Sequence, residues 1–290
     1  MEDQFVHLHV HSEYSLLDGA DNTISGHLNV SVKGGNTANT EFEYLTGASM
    51  AFLPYGSIPY QQYVKKEAKA NGIRPIIGCE VYVAPRTRFD KVSGIDNSPC
   101  HLVLLCENQT GYQNLIKMVS RSYTEGFYFK PRIDHELLRQ HSEGIIALSA
   151  CLAGEIPRAL TRNDYRQAKE TAQFYLDVFG KDEMEVLGTD AKPSDLRDFL
   201  ASLVSYVLEN DVELHDGETI QEQQHILPEL VRLARELDIG LVATNDCHYL
   251  TKEDSLTQKI LICIQTNHTL EDDNNLEFGS DEFYFKTEEE

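Results

Sequence analysis

The chain has 290 residues and a net charge of −22, which excludes an extended nucleic-acid footprint of the kind that needs a dense Lys/Arg face, while leaving open a small acidic site that handles phosphates through metal ions. A hydrophobic share of 41% beside 25% charged residues is that of a soluble globular protein with a substantial core, in one large domain such as a β/α barrel or in two ordinary ones. Cys79, Cys100, Cys106, Cys151, Cys247 and Cys263 form no CxxC pair, no secretory leader opens the chain and no apolar run approaches the roughly 20 residues of a spanning helix, so reduced thiols, a cytoplasmic location and no membrane contact are expected.

The first segment, Phe5-Val6-His7-Leu8-His9-Val10-His11-Ser12, reads as extended, and alternation puts three imidazoles on one face of one strand. Imidazole is the commonest borderline-soft metal ligand, so this is a metal-site signal. In residues 21–60, Leu28, Val30 and Val32 alternate on one side of Gly34-Gly35-Asn36, and Phe42 and Tyr44 alternate on the other. That pattern predicts a β-hairpin.

Further along, residues 76–83, 102–106, 145–149 and 241–244 are short runs rich in Val, Ile and Leu, the pattern of strands covered on both faces. Helical spacing marks residues 111–124, 163–179 and 221–237, with Ile239-Gly240 as the stop after the last. Between residues 184 and 212, Pro193 and Ser194 start a helix with an apolar stripe of Leu196, Phe199, Leu200, Leu203, Val204, Val207 and Leu208. It either packs outside a barrel or docks a partner. The alternation of strands with helices argues a parallel sheet or barrel of βα units.

Chemistry-bearing residues fall at the ends of these strands. Glu80 lies late in the 76–83 run, His101 opens the next, Cys151 follows 145–149, and Asp246 with His248 follows 241–244. Taken singly, Cys151 reads as a small core residue and His101 as a structural histidine. Carboxylate, imidazole and thiolate groups delivered together to one rim make a multi-metal centre. His135, His141, His215, His225 and His268 lie in polar, helical or loop contexts and read as surface residues.

His9-Val10-His11-Ser12, Gly78-Cys79-Glu80-Val81-Tyr82-Val83, Ser149-Ala150-Cys151-Leu152-Ala153-Gly154-Glu155 and Ala243-Thr244-Asn245-Asp246-Cys247-His248-Tyr249 occur in the order of a known family. They resemble the N-terminal PHP (polymerase and histidinol phosphatase) domain of the bacterial DNA polymerase III alpha subunit, and similar segments cover about two thirds of the chain. The resemblance implies a single α/β domain over residues 1–290, a distorted seven-stranded TIM-like barrel of the PHP type. Residues 21–60 would be its remodelled, hairpin-like segment, 184–212 its extra inserted helix, and 265–290 a tail leading toward a polymerase core.

It also implies two or three divalent metal ions, zinc or manganese. His9, His11, Glu80 and Asp246 would hold the first, with Glu80 bridging to a second held by His101 and Cys151, and Asp18 with His248 would serve a third. The family's Thr-Asp-His-Gly, whose histidine completes the third site, is replaced here by Thr46-Gly47-Ala48-Ser49, and His27 is the one histidine nearby. His7 would support a ligand from behind. No catalytic residue is assigned apart from these ligands.

The implied activity is phosphoester hydrolysis, as a 3′ to 5′ exonuclease on a DNA 3′ end. The alternative is a non-catalytic domain that stabilises the polymerase core and docks a proofreading subunit, and a standalone small-phosphate hydrolase is a third reading. Palm, fingers and thumb would follow this domain and the chain stops at Glu290, so nucleotide polymerisation is not expected of these residues.

Overall fold

The computed structural model describes residues 41–45, 74–180, 218–241, 246–272 and 281–285. In them, strands β1 (Glu41–Leu45), β2 (Arg74–Val83), β3 (Cys100–Cys106), β4 (Arg132–Ile133) and β5 (Ile145–Leu148) join in one sheet of order β1-β2-β3-β5, with β4 also on β2. Two strands share one edge of β2. β1 runs parallel to its first half, Glu41 opposite Arg74 through Leu45 opposite Gly78, and β4 runs parallel to its end, Tyr82 opposite Arg132. On the other edge β3 runs antiparallel, and β5 runs antiparallel to β3.

The sheet is thus mixed, which corrects the expectation of a parallel one. β2 and β3 are joined by residues 84–99 without a helix, and an antiparallel return needs no crossover helix. Two buried arginines pin this connection. The Arg132 guanidinium donates to the carbonyls of Arg88, Asp90, Asp96 and Gly126 at 2.8–3.1 Å. Arg88 meets the carboxylates of Glu125, Asp134 and Glu136.

The predicted runs at 76–83, 102–106 and 145–149 appear as β2, β3 and β5. Of the predicted hairpin, Phe42 and Tyr44 lie in β1, which pairs in parallel with β2; the half bearing Leu28, Val30 and Val32 lies outside the described residues. So do the helix predicted over 184–212 and the 241–244 strand apart from Leu241, which is in no regular element.

Helices α1 (Gln109–Thr124), α2 (His135–Gln140), α3 (Glu155–Thr161), α4 (Tyr165–Phe179), α5 (Glu218–Leu237) and α6 (Ser255–Thr266), with a short 3-10 helix over Lys252–Asp254, complete the described elements. Their starts are written locally. The Asn108 carboxamide accepts from Thr110 and Gly111 N–H, Asp134 from Leu137 N–H and Asp164 from Gln167 N–H, each satisfying a donor that the first turn leaves open.

Alternation then divides the sheet. Cys79, Val81, Val83, Leu102, Leu104 and Ile145 face Leu115, Met118 and Val119 of α1, Leu137 and Leu138 of α2, and Phe179 of α4. A second cluster joins Ile156, Ala159 and Leu160 of α3 to Ala168 and Ala172 of α4 and Ile226 and Leu233 of α5. The opposite sheet face carries Val103, Leu105, Ile146 and Leu148, also buried, and it is the face on which Glu80 and His101 lie.

Candidate metal centre

The register of β2 on β3 sets Glu80 opposite Val103 and Tyr82 opposite His101. Glu80 and His101 are therefore diagonal neighbours on one face, within side-chain reach. Glu80 Oε1 lies 3.1 Å from His101 Nδ1, the carboxylate buried and the imidazole a quarter exposed. Tyr82 sets its ring edge-on to the imidazole, centroids 5.2 Å apart.

Cys151 arrives from the turn after β5. Its Sγ stands 3.9 Å from the same His101 Nδ1. The turn bends at Ala150, φ +61, and is strapped to β3 by His101 N–H donating to the Ala153 carbonyl at 3.0 Å, while Gly154 N–H donates to the Cys151 carbonyl at 2.9 Å. The reversed course of β3 brings its first residues to the ends of β2 and β5, so one rim collects all three groups.

Burial works against a charged His101, but the Glu80 carboxylate and the Cys151 sulfur push its pKa up to about 11. That donor set, one oxygen, one nitrogen and one sulfur, suits a borderline divalent ion such as zinc. Among the described residues no three His, Cys, Asp or Glu side chains gather as the ligands of a single ion. The chemistry of the donors fits a metal, and a full shell needs ligands from beyond them.

The second group lies near the chain's end. Asp246, φ +49, a left-handed backbone that Asp tolerates better than most, carries Oδ1 3.4 Å from Nε2 of the buried His248. Residues 281–285 return to this segment: His248 N–H donates to the Phe283 carbonyl at 2.8 Å and Phe285 N–H to that of Tyr249 at 2.9 Å. Of the eight sequence-predicted ligands, contacts join Glu80, His101 and Cys151, and Asp246 and His248. His9, His11 and Asp18 lie outside the described residues, as do His7, His27 and His215.

Sequence reasoning missed Tyr82, although its position two residues after Glu80 put it on the same face. It also missed a pairing of His135, which corrects the surface reading. The His135 ring stacks on Phe174 at 4.0 Å, and its Nε2 lies 3.0 Å from Glu155 Oε2, which also accepts from the Tyr175 hydroxyl. Burial and the Glu155 carboxylate hold that phenol well above its usual range. His141 is half-buried, and its pKa is lowered by burial and by Lys117 and Arg121. His225, whose Nε2 lies 3.1 Å from Asn163 Oδ1, and His268 are exposed as expected. All six cysteines are free, and among the described residues no helix is long and apolar enough to cross a membrane.

Residues 7–186 match the family model described as PHP domain, and residues 176–229 match a domain of unknown function (DUF4261). The chain is 41% identical to a protein named DNA polymerase III subunit alpha from Treponema pallidum, over 98% of this chain and 21% of that one. Proteins of the same name from Borreliella burgdorferi and Thermus aquaticus are 38% and 37% identical, each over 99% of this chain and 22% and 21% of their own length. The chain spans about a fifth of the curated relatives it matches.

Proposed function

The chain belongs to the PHP domain family as found in bacterial DNA polymerase III alpha subunits, and on that premise we propose that it is a metal-dependent phosphoesterase that trims a DNA 3′ end. The observation that carries this reading is the contact of Glu80 with His101 at 3.1 Å and of His101 with Cys151 at 3.9 Å on one rim of the sheet. A buried carboxylate so placed is costly unless a cation or proton neutralises it.

In this reading His9, His11, Glu80 and Asp246 would hold a first divalent ion, zinc or manganese. Glu80 would be shared with a second held by His101 and Cys151, and Asp18 and His248 would serve a third. Bound ions of this kind lower the pKa of water and neutralise charge on phosphoryl oxygens. The chain's own residues supply the rest. Glu80 holds His101 Nδ1, the Tyr82 edge limits rotation of the imidazole, and the strap from His101 N–H to the Ala153 carbonyl keeps the Cys151 turn on β3. The reading carries a single domain closed as a seven-stranded barrel, with 184–212 as an inserted helix and 265–290 leading toward a polymerase core in the cytoplasm.

A second reading rests on Gly47-Ala48-Ser49 standing where the resemblance leads one to expect Asp-His-Gly. It makes the domain a non-catalytic support of the polymerase core and a dock for a proofreading subunit. A single-stranded DNA oligonucleotide labelled at its 5′ end separates the two. With manganese the chain should shorten it stepwise from the 3′ end, and Glu80→Gln should not. Shortening no faster than that of the Glu80→Gln variant would leave only the supporting role.

A further inference from the structure

Between α1 and β4 the chain makes a tight turn at Tyr128-Phe129-Lys130. Tyr128 N–H donates to the Lys130 carbonyl at 3.0 Å, and this puts Phe129 at the apex. Its φ is +60, a backbone region that bulky side chains avoid and glycine enters freely. The residue is 70% exposed. The free chain thus gains little from an aromatic residue here, either in backbone comfort or in burial.

The turn is nonetheless held firmly. The Tyr128 ring meets Phe129 edge-on at 4.7 Å between centroids and lies 5.3 Å from the guanidinium of the buried Arg132, whose Nε donates to the Gly126 carbonyl at 2.9 Å. From the apex a continuous path leads to the candidate metal centre. The Lys130 ammonium sits 5.3 Å over the Tyr82 ring, Tyr82 stands edge-on to His101, and His101 touches Glu80 and Cys151.

An exposed ring on a rigid turn, followed by a cation, is the pairing that binds single-stranded nucleic acid. Bases stack on aromatic faces regardless of sequence, and a lysine meets the adjoining phosphate. In a chain of net charge −22 such a cation is useful where a polyanion must come close. We propose that Phe129 and Lys130 form the platform for a single-stranded DNA end: a base stacks on Phe129, its phosphate meets Lys130, and the backbone is led past Tyr82 to the Glu80, His101 and Cys151 rim. The proposal rests on the phosphoesterase reading and names the groups that present its substrate.

The test uses the full chain and a fluorescent twelve-nucleotide single strand, with anisotropy read in excess chelator so that no turnover is needed. Phe129→Gly should weaken binding about tenfold, the loss of one stacked base, while the melting temperature stays or rises because glycine suits the backbone there. Phe129→Trp should keep the affinity. Lys130→Met should weaken binding and flatten its salt dependence by somewhat less than one counterion.

With manganese added, Phe129→Gly should raise KM for the oligonucleotide and leave turnover of bis(p-nitrophenyl) phosphate, which has no base to stack, as in the parent chain. Oligonucleotide affinity in Phe129→Gly within twofold of the parent would overturn the platform. A parallel fall of affinity and melting temperature would overturn it in favour of a structural role. A parent chain that binds the oligonucleotide in chelator but hydrolyses neither substrate would sink the phosphoesterase reading while leaving the platform standing.

Discussion

Gly154→Ala bears directly on how the Cys151 turn is held. Gly154 has φ −68 and ψ 159, a backbone open to any residue, so space and not conformation is what demands glycine. A Cβ built there would stand 2.1 Å from the Ser149 carbonyl oxygen and 3.2 Å from both the Cys151 carbonyl oxygen and Pro157 Cδ. The nearest obstacle is backbone, which cannot rotate away. Relief needs the turn to move by about 1 Å, and overpacking of this kind costs about 1–3 kcal/mol. In a domain of this size that lowers the melting temperature by roughly 3–10 °C.

The turn carries Cys151 and is tied to the His101 backbone, so the displacement should also loosen the sulfur from the imidazole. Metal affinity should then fall about 10- to 100-fold, as it does when a ligand's support is removed. Thermal unfolding followed by circular dichroism and a metal titration with a competing chelator read both effects. A Gly154→Ala chain that melts within about 1 °C of the parent and binds metal equally well would refute the argument that close approach at this glycine positions Cys151.

Arg132→Met should destabilise the fold by about 3–5 kcal/mol, because it removes the buried donor of four carbonyls and leaves their oxygens short of partners; urea unfolding measures it, and Arg132→Lys should recover little, since one ammonium has too few donors for four acceptors. Acid stability should depend on Asp96. The Arg86 hydrogen bond holds its carboxyl down at about 2, below the ordinary aspartate value of about 4. Because the folded pKa is depressed, its contribution is complete above about pH 4 and is lost as pH falls through about 2. In Asp96→Asn the stability profile over that window should flatten, and an unchanged acid limb would count against the ion pair.

Much of the rim was readable from residue order. His101 opens one short apolar run and Cys151 follows another, and strands of seven and four residues cannot hide where their ends lie; Glu80 is the carboxylate that interrupts the apolar run of β2. Asn108 and Asp164 mark helix starts by the chemistry of their own side chains. The direction of β3 was not readable in this way. Val, Ile and Leu runs look alike in either direction, and the clue lay in the missing helix over residues 84–99, which is held by hydrogen bonds across 36 to 46 residues of sequence, from Arg88 to the Asp134 carboxylate and from Arg132 to the Asp90 and Asp96 carbonyls. The bend at Ala150 was hidden for a different reason, since alanine gives no sign of a positive φ. His135 was misread because its partner Glu155 lies 20 residues on, on another helix, and a pairing of that kind leaves no local periodicity.

The central claim is that Glu80, His101, Cys151, Asp246 and His248 belong to a working metal centre completed by His9, His11 and Asp18. Elemental analysis of the chain after gel filtration tests it most directly. The account predicts at least two zinc or manganese equivalents per chain, dropping when Asp246 is changed to Asn. Fewer than one equivalent in the parent chain would contradict it.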